Sequence, residues 1–111
     1  MTVRSGVLCR AVTVGNTALL LGTVPAGKTW VVKDWRLWNS TAGTLNARLY
    51  VLDPTGLIRG IITKPSIPAD GISNPSLAFF LAAGPGDTVW VLADAAGIHV
   101  WLSGAVLNGN I

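Results

Sequence analysis

Residues 22–39 decide the fold class, and they read Gly-Thr-Val-Pro-Ala-Gly-Lys-Thr-Trp-Val-Val-Lys-Asp-Trp-Arg-Leu-Trp-Asn. The first eight match the phosphate-loop pattern G-x-x-x-x-G-K-[ST]. That loop binds phosphate only when a helix begins at its lysine, so that free backbone N–H groups and the helix dipole face the anion. The residues after Lys28 are instead β-branched and aromatic, which favours a strand. We therefore predict a strand over 28–39 that begins at a surface Lys28, and no nucleotide site.

The rest of the chain has the same strand-rich composition. It contains no Glu, no Gln and one Met, which are strong helix formers, but 13 Gly and 6 Pro, which favour turns. Period-2 stretches between turn residues predict eight strands, at 6–14, 17–23, 28–39, 44–52, 57–64, 76–82, 87–94 and 97–107. Short strands at this spacing are typical of sandwiches and barrels. We predict a single all-β domain over 1–111, an antiparallel β-sandwich that is jelly-roll-like.

Three features refine this prediction. In 28–39, Trp30 and Val32 are in one phase whereas Trp35 and Leu37 are in the other, so we expect a β-bulge near Lys33–Asp34. The segment 64–75 contains three prolines, which exclude a central strand, and we expect an extended surface loop there. The segments 26–32 and 85–91 resemble each other, either because two Greek keys repeat a turn or by chance.

The charge and hydropathy of the chain limit the kinds of partner that it is expected to bind. Eight basic and five acidic residues give a formal charge of +3, and the basic residues are scattered rather than clustered as at a nucleic-acid interface. No apolar run approaches the length of about 20 residues that a membrane helix needs. We expect neither nucleic acid nor membrane as a partner. Half of the residues are hydrophobic and only 12% are charged, which favours burial against other protein.

Nothing in the sequence has the pattern of a catalytic or metal site. His99 is the one histidine, Cys9 is the one cysteine, and five Asp are dispersed, so no metal-ligand spacing occurs. No G-x-S-x-G elbow is present. Asp53 and Asp87 lie in predicted turns, where Asp is common for backbone reasons. We predict a protein that is not an enzyme and has no cofactor, no catalytic residue and no metal.

Outward aromatic residues are the more informative feature. Strand alternation predicts that Trp38, Tyr50 and Trp101 face outward, as the anchors of protein interfaces do. Rings in that position also stack on sugars, which is a second interpretation. Ile67, Pro68 and Ile72 in the long loop are placed to reach a neighbouring molecule. These six are our candidate partner-contact residues.

Two segments resemble a known family. Residues 24–33 with 35–39, and residues 85–93 with 97–104, are similar to the opening strands and the last hairpin of small β-sandwich virion proteins of tailed bacteriophages. The likeness covers about residues 24–104 and consists of turn-plus-strand motifs, with no catalytic or ligand residues to transfer. It implies a structural component of the virion: a capsid decoration (cement) protein that binds the major capsid protein or another virion protein, or a fibre or tail attachment module.

We therefore expect a homo-oligomer, with a trimer as the expected state, that binds the head lattice. The alternative is a carbohydrate- or receptor-binding module of a tail or fibre.

Overall fold

Two antiparallel sheets pack face to face in the computed structural model, which describes residues 3–73 and 81–108. Within those residues the strands are β1 (Val3–Val12), β2 (Leu19–Thr23), β3 (Lys28–Asn39), β4 (Leu45–Leu52), β5 (Ile58–Ile67), β6 (Ile72–Ser73), β7 (Leu81–Ala83), β8 (Thr88–Ala93) and β9 (Ile98–Asn108). Sheet A has the order β1–β9–β3, and both β6 and β7 pair with the other edge of β3. Sheet B has the order β2–β8–β4–β5.

This strand order is that of a jelly roll, in which two Greek keys form a double sheet. Because β6 and β7 occupy one position beside β3, the described residues fill eight strand positions in two sheets. The predicted fold class is therefore confirmed. The described residues include no helix that is long and apolar enough to cross a bilayer.

Alternate residues of each strand form the core between the sheets. The phases predicted for 44–52 and 97–107 are confirmed, since Leu49 and Val51 are buried in sheet B while Val100 and Leu102 are buried in sheet A. Trp35 is the largest of the described side chains that have no exposed surface. Residues between these positions point outward, so each sheet also has an outer face.

A β-bulge reverses the phase of β3, as predicted. Val32 pairs with Gly104 of β9 and Asp34 pairs with Ser103, so Lys33 is the additional residue. Both Val32 and Trp35 are consequently buried, which a regular strand does not allow for residues three apart.

The segment 64–75 differs from the loop that we predicted. Strand β5 continues to Ile67, and β6 follows after a turn in which the Gly71 N–H donates to the Pro68 carbonyl (2.9 Å). Pro65 is tolerated because β5 lies at the edge of sheet B. Ile67 is wholly buried, so its assignment as a partner contact is wrong. Of the predicted strand 76–82, residues 76–80 lie outside the described residues.

The phosphate-loop pattern ends in a strand rather than a helix. Strand β3 begins at Lys28, which is half-buried and follows a turn closed by a hydrogen bond from its N–H to the Pro25 carbonyl (3.2 Å). The turn before β8 is built alike, with the Asp87 N–H donating to Gly84 (3.0 Å). Gly27 and Gly86 adopt φ values of 72° and 82°, as the third residue of a type II turn requires. The two similar segments thus share one turn structure.

Candidate functional site

The outer face of sheet A carries an ordered grid of polar and aromatic side chains. Strand register places residues of neighbouring strands side by side on one face. The central row crosses β1, β9 and β3 and consists of Arg10, Trp101 and Arg36. A second row continues onto β6 and consists of Val12, His99, Trp38 and Ile72. On the other side of the central row, Ser103 pairs with Asp34.

Trp101 stands between two depressions in this face. The larger has a volume of about 490 Å³, and its lining consists of Asp34, Arg36, Trp38, Ile72, Trp101 and Ser103. The smaller has a volume of about 360 Å³ and includes Arg10 and His99 in its lining. Small-molecule sites typically occupy about 300–1,000 Å³, so both depressions have a suitable size.

The aromatic rings of this face are held in place by one another and by a carboxylate. The ring centroids of Trp38 and His99 are 4.5 Å apart, and those of His99 and Trp101 are 6.2 Å apart. The Trp38 Nε1 donates a hydrogen bond to Asp70 Oδ1 (3.1 Å), from the turn between β5 and β6. This bond fixes the rotation of the indole and leaves part of the ring exposed.

The arginines of the central row differ from Arg59 in their surroundings. Arg59 Nε lies 2.8 Å from Oδ2 of the buried Asp87. Arg10 and Arg36 are exposed, and neither forms an ion pair with another described residue. Their guanidinium groups are therefore available to a ligand.

The outer face of sheet B is different in character. Strand register aligns a row across all four of its strands, which consists of Leu20, Trp90, Tyr50 and Ile61. The rings of Tyr50 and Trp90 are nearly parallel, with centroids 6.4 Å apart, and Trp90 Nε1 donates to Thr88 Oγ1 (2.8 Å). Leu20 and Ile61 are 45% and 47% exposed. The row is thus an accessible apolar band.

Few charges border this apolar band. In the described part of the two flanking rows, Leu92 pairs with Arg48, while Leu52 pairs with Thr88 and Ile58. The charged residues of these described rows are Arg48 in one row and Arg59, the additional residue of the bulge beside Ile58, in the other. Depletion of charge is typical of the centre of a protein interface.

The structure separates the six predicted contact residues. Trp38, Trp101 and Ile72 lie together on sheet A, and Ile72 is 73% exposed. Tyr50 lies on the opposite sheet, and Pro68 is exposed in the turn before β6. Ile67 lies in the core, as described above. Five further residues of the two outer faces were not predicted from the sequence, because only cross-strand register brings them beside the predicted aromatic residues: Arg10, Arg36, Trp90, Leu20 and Ile61.

The two turn aspartates have the backbone roles predicted for them. Asp53 Oδ1 accepts hydrogen bonds from Thr55 Oγ1 (2.6 Å), Thr55 N (2.8 Å) and Leu57 N (3.0 Å). The hydrogen bond from the Thr55 side chain, followed by that from the Leu57 backbone, lowers the pKa of Asp53. Asp87 Oδ2 accepts from Gly84 N (2.8 Å). Among residues 3–73 and 81–108, no three His, Cys, Asp or Glu side chains are grouped to hold a metal ion.

Comparisons with known proteins identify the fold. No protein-family model and no curated protein matches the sequence. Among solved structures, the chain is similar to a chain of infectious bursal disease virus, Gx strain, with a TM-score of 0.54 and 11% identity, over 95% of this chain and 31% of that chain. This likeness shows a shared β-sandwich fold.

Two weaker likenesses add nothing to that assignment. One is to the D431N mutant VP2 protein of the same virus in T=1 particles (TM-score 0.42, 12% identity, 97% of this chain and 32% of that chain). The other is to the Podospora anserina GH26-CBM35 β-(1,4)-mannanase (TM-score 0.43, 8% identity, 99% and 28%). This chain thus spans less than a third of the length of each of the three structures.

Proposed function

We propose that this chain is a non-enzymatic structural protein of a bacteriophage particle, a capsid decoration protein that oligomerises and binds the head lattice. The observation that carries the proposal is the apolar band on sheet B, formed by Leu20, Trp90, Tyr50 and Ile61. The phage assignment derives from the resemblance of residues 24–104 to virion proteins of tailed phages. The fold shared with a chain from a virus supports it.

The occupant that we assign to the apolar band is a second copy of this chain. The band crosses the whole sheet, so a partner sheet packed against it removes apolar area from water along its full width. Its two exposed ends, Leu20 and Ile61, lie on the edge strands β2 and β5 of sheet B. In the proposed trimer, the bands of the three copies face one three-fold axis, so each band packs against those of its two neighbours.

One substitution made on each face tests the assembly surface. Ile61→Asp places a carboxylate in the band on sheet B, whereas Ile72→Asp makes the same change on sheet A, where Ile72 is more exposed. We expect sedimentation equilibrium to show an oligomer for the wild type and for Ile72→Asp. We expect Ile61→Asp to weaken association by about 2 kcal/mol or more, which is about thirtyfold. Dissociation by Ile72→Asp alone, or a wild-type monomer at every concentration, contradicts the proposal.

Binding to the particle is tested separately. Wild-type protein is expected to sediment with purified heads of the phage that encodes it, and to saturate at a fixed number of copies per head. Failure to bind heads, with binding to tails or fibres instead, contradicts the decoration role.

A second candidate function is a carbohydrate- or receptor-binding module of a tail or fibre. The observation that favours it is the larger depression on sheet A, where Trp38 and Trp101 lie beside Asp34, Arg36 and Ser103. Aromatic rings with adjacent polar groups in a concave site are typical of ligand-binding pockets.

A further inference from the structure

We propose that the central row of sheet A binds a carboxylate-bearing sugar, such as a uronic acid or sialic acid unit of a glycan. Trp101 is the platform for the ring, and Arg10 and Arg36 are the groups that recognise its charge. The inference rests on the second candidate function above and gives it a ligand class. It uses residues on the sheet opposite to the apolar band.

Trp101 has the position that a sugar platform requires. It is half-buried, so part of its surface is accessible, and it lines two depressions of about 490 and 360 Å³. One face of a pyranose ring presents mainly C–H groups. Placing that face on an indole removes apolar area of both partners from water and needs little side-chain ordering.

The two arginines give the site its charge selectivity. They flank Trp101 in register on β1 and β3, and neighbouring strands are about 4.8 Å apart, so their Cα atoms are about 10 Å apart across the indole. Neither guanidinium is neutralised by a described carboxylate. A guanidinium binds a carboxylate through two parallel N–H···O bonds, which are among the stronger hydrogen bonds in proteins. A sugar carboxylate above Trp101 lies within reach of both side chains.

The surroundings of this row are pre-organised. The hydrogen bond from Trp38 Nε1 to Asp70 fixes one wall of the larger depression, and His99 lies between the two indoles. Ser103 lines the same depression and offers a hydroxyl group to sugar hydroxyl groups. Little conformational entropy is therefore lost in the walls of the larger depression when a ligand binds, and the entropy cost falls on the two exposed arginines.

Two other occupants fit this face less well. A second copy packed face to face about a two-fold axis brings the same residues of both copies to one contact, so the exposed arginines of one row approach those of the other. A single nucleic-acid strand needs a continuous basic track along its phosphates. Asp34 lines the groove and Asp70 borders it, so the positive potential is confined to the central row.

The proposal is tested by titration with defined oligosaccharides. The probes are hexagalacturonic acid and 3′-sialyllactose, followed by tryptophan fluorescence and calorimetry. Their matched comparators are the methyl ester of hexagalacturonic acid and the methyl ester of the sialic acid unit of 3′-sialyllactose, which keep the rings and remove the carboxylate charge. We expect saturable binding of at least one acid and at least tenfold weaker binding of its comparator. No binding of either acid, equal binding of the comparators, or tighter binding of a deoxythymidine 12-mer overturns the proposal.

Surface variants identify the residues that bind. Arg10→Gln and Arg36→Gln are each expected to weaken acid binding about tenfold, and Trp101→Ala to abolish it. The control is Arg48→Gln, which removes the same charge from the outer face of sheet B and is expected to leave affinity unchanged. If Trp101→Ala does not fold, the two arginine variants decide. An equal loss in Arg48→Gln indicates unspecific attraction and overturns the proposal.

The test separates this inference from the assembly role. The Ile61→Asp variant is expected to dissociate and yet bind the acidic probe with the wild-type affinity per site. Loss of sugar binding by the arginine variants with an intact oligomer supports the inference. If Ile61→Asp dissociates the oligomer but the protein binds neither acid, the sugar-binding inference is wrong and the assembly role stands.

Discussion

Gly104 of β9 packs directly against the backbone carbonyl of Val31 in β3, so closely that a Cβ atom at position 104 overlaps the carbonyl oxygen. The β-bulge at Lys33 lies beside this contact, since Val32 pairs with Gly104 before the register shifts. The approach of β9 to β3 at this point therefore depends on the absence of a side chain at position 104.

We expect Gly104→Ala to destabilise the fold by about 3 kcal/mol, because the added methyl group must displace backbone rather than a flexible side chain. Urea denaturation followed by tryptophan fluorescence measures the change. Gly15→Ala is the control, since an added Cβ there meets no atom within 4 Å. Equal stability of the two variants contradicts the close contact.

Asn39 joins three segments at the end of β3. It has no exposed surface, and its Nδ2 donates to the carbonyls of Gly43 (2.7 Å) and Ile67 (3.0 Å), while its Oδ1 accepts from Thr41 Oγ1 (2.6 Å). We expect Asn39→Ala to cost about 3 kcal/mol of unfolding free energy, because it leaves buried backbone groups without partners. Asn16→Ala, at an exposed turn, is expected to change stability by less than about 0.5 kcal/mol in the same urea titration.

Arg59 is the charged partner of a carboxylate that has no exposed surface. We expect Arg59→Ala to destabilise the protein by about 1–3 kcal/mol, because Asp87 stays buried without a counter-charge. Arg48→Ala is the control, since Arg48 is exposed and has no ion pair with another described residue. A double-mutant cycle with Asp87→Asn isolates the pair. A coupling energy near zero argues against the contribution of the ion pair.

The turn at Asp53 is expected to be sensitive to acid. Its pKa in the folded state lies below the ordinary value, chiefly because Thr55 Oγ1 donates to the carboxylate. The stabilisation is therefore present above the pKa of the unfolded chain, near 4, and is lost as the pH falls through the lower folded-state pKa.

Replacing the donor tests this origin of the shift. We expect Thr55→Val to raise the pKa of Asp53 towards its ordinary value, as measured by an NMR titration of the carboxyl carbon. Thr17→Val, at an exposed position, is expected to leave it unchanged. No difference between the two variants shows that the backbone donors alone set the pKa.

Much of the fold follows from local pattern. The change of phase between Val32 and Trp35 was sufficient to predict the bulge, because inward residues must alternate along a regular strand. The error at Ile67 has a local cause as well. Pro65 and Pro68 flank that residue and indicate a loop, yet an edge strand accepts proline where no partner needs its N–H.

The candidate site was predictable only in part. Alternation indicated that Trp38 and Trp101 face outward, which is a property of each strand alone. The row of Arg10, Trp101 and Arg36 joins strands from both ends of the chain, and its alignment depends on register shifts near Val7 in β1 and Val32 in β3. A single sequence does not specify that register. The band of Leu20, Trp90, Tyr50 and Ile61 was missed for the same reason.

The two outer faces of the sandwich point in opposite directions, and this arrangement has a consequence for avidity. A copy packed against its neighbours through sheet B turns the row of Arg10, Trp101 and Arg36 away from that contact. An array of such copies meets a cell-surface polysaccharide at many points at once, so each further contact is effectively intramolecular. Multivalent attachment of this kind exceeds single-site affinity by about 10²–10⁴. A weak but measurable sugar affinity of one copy is then enough to retain a whole particle at a surface, and each single contact remains quickly reversible.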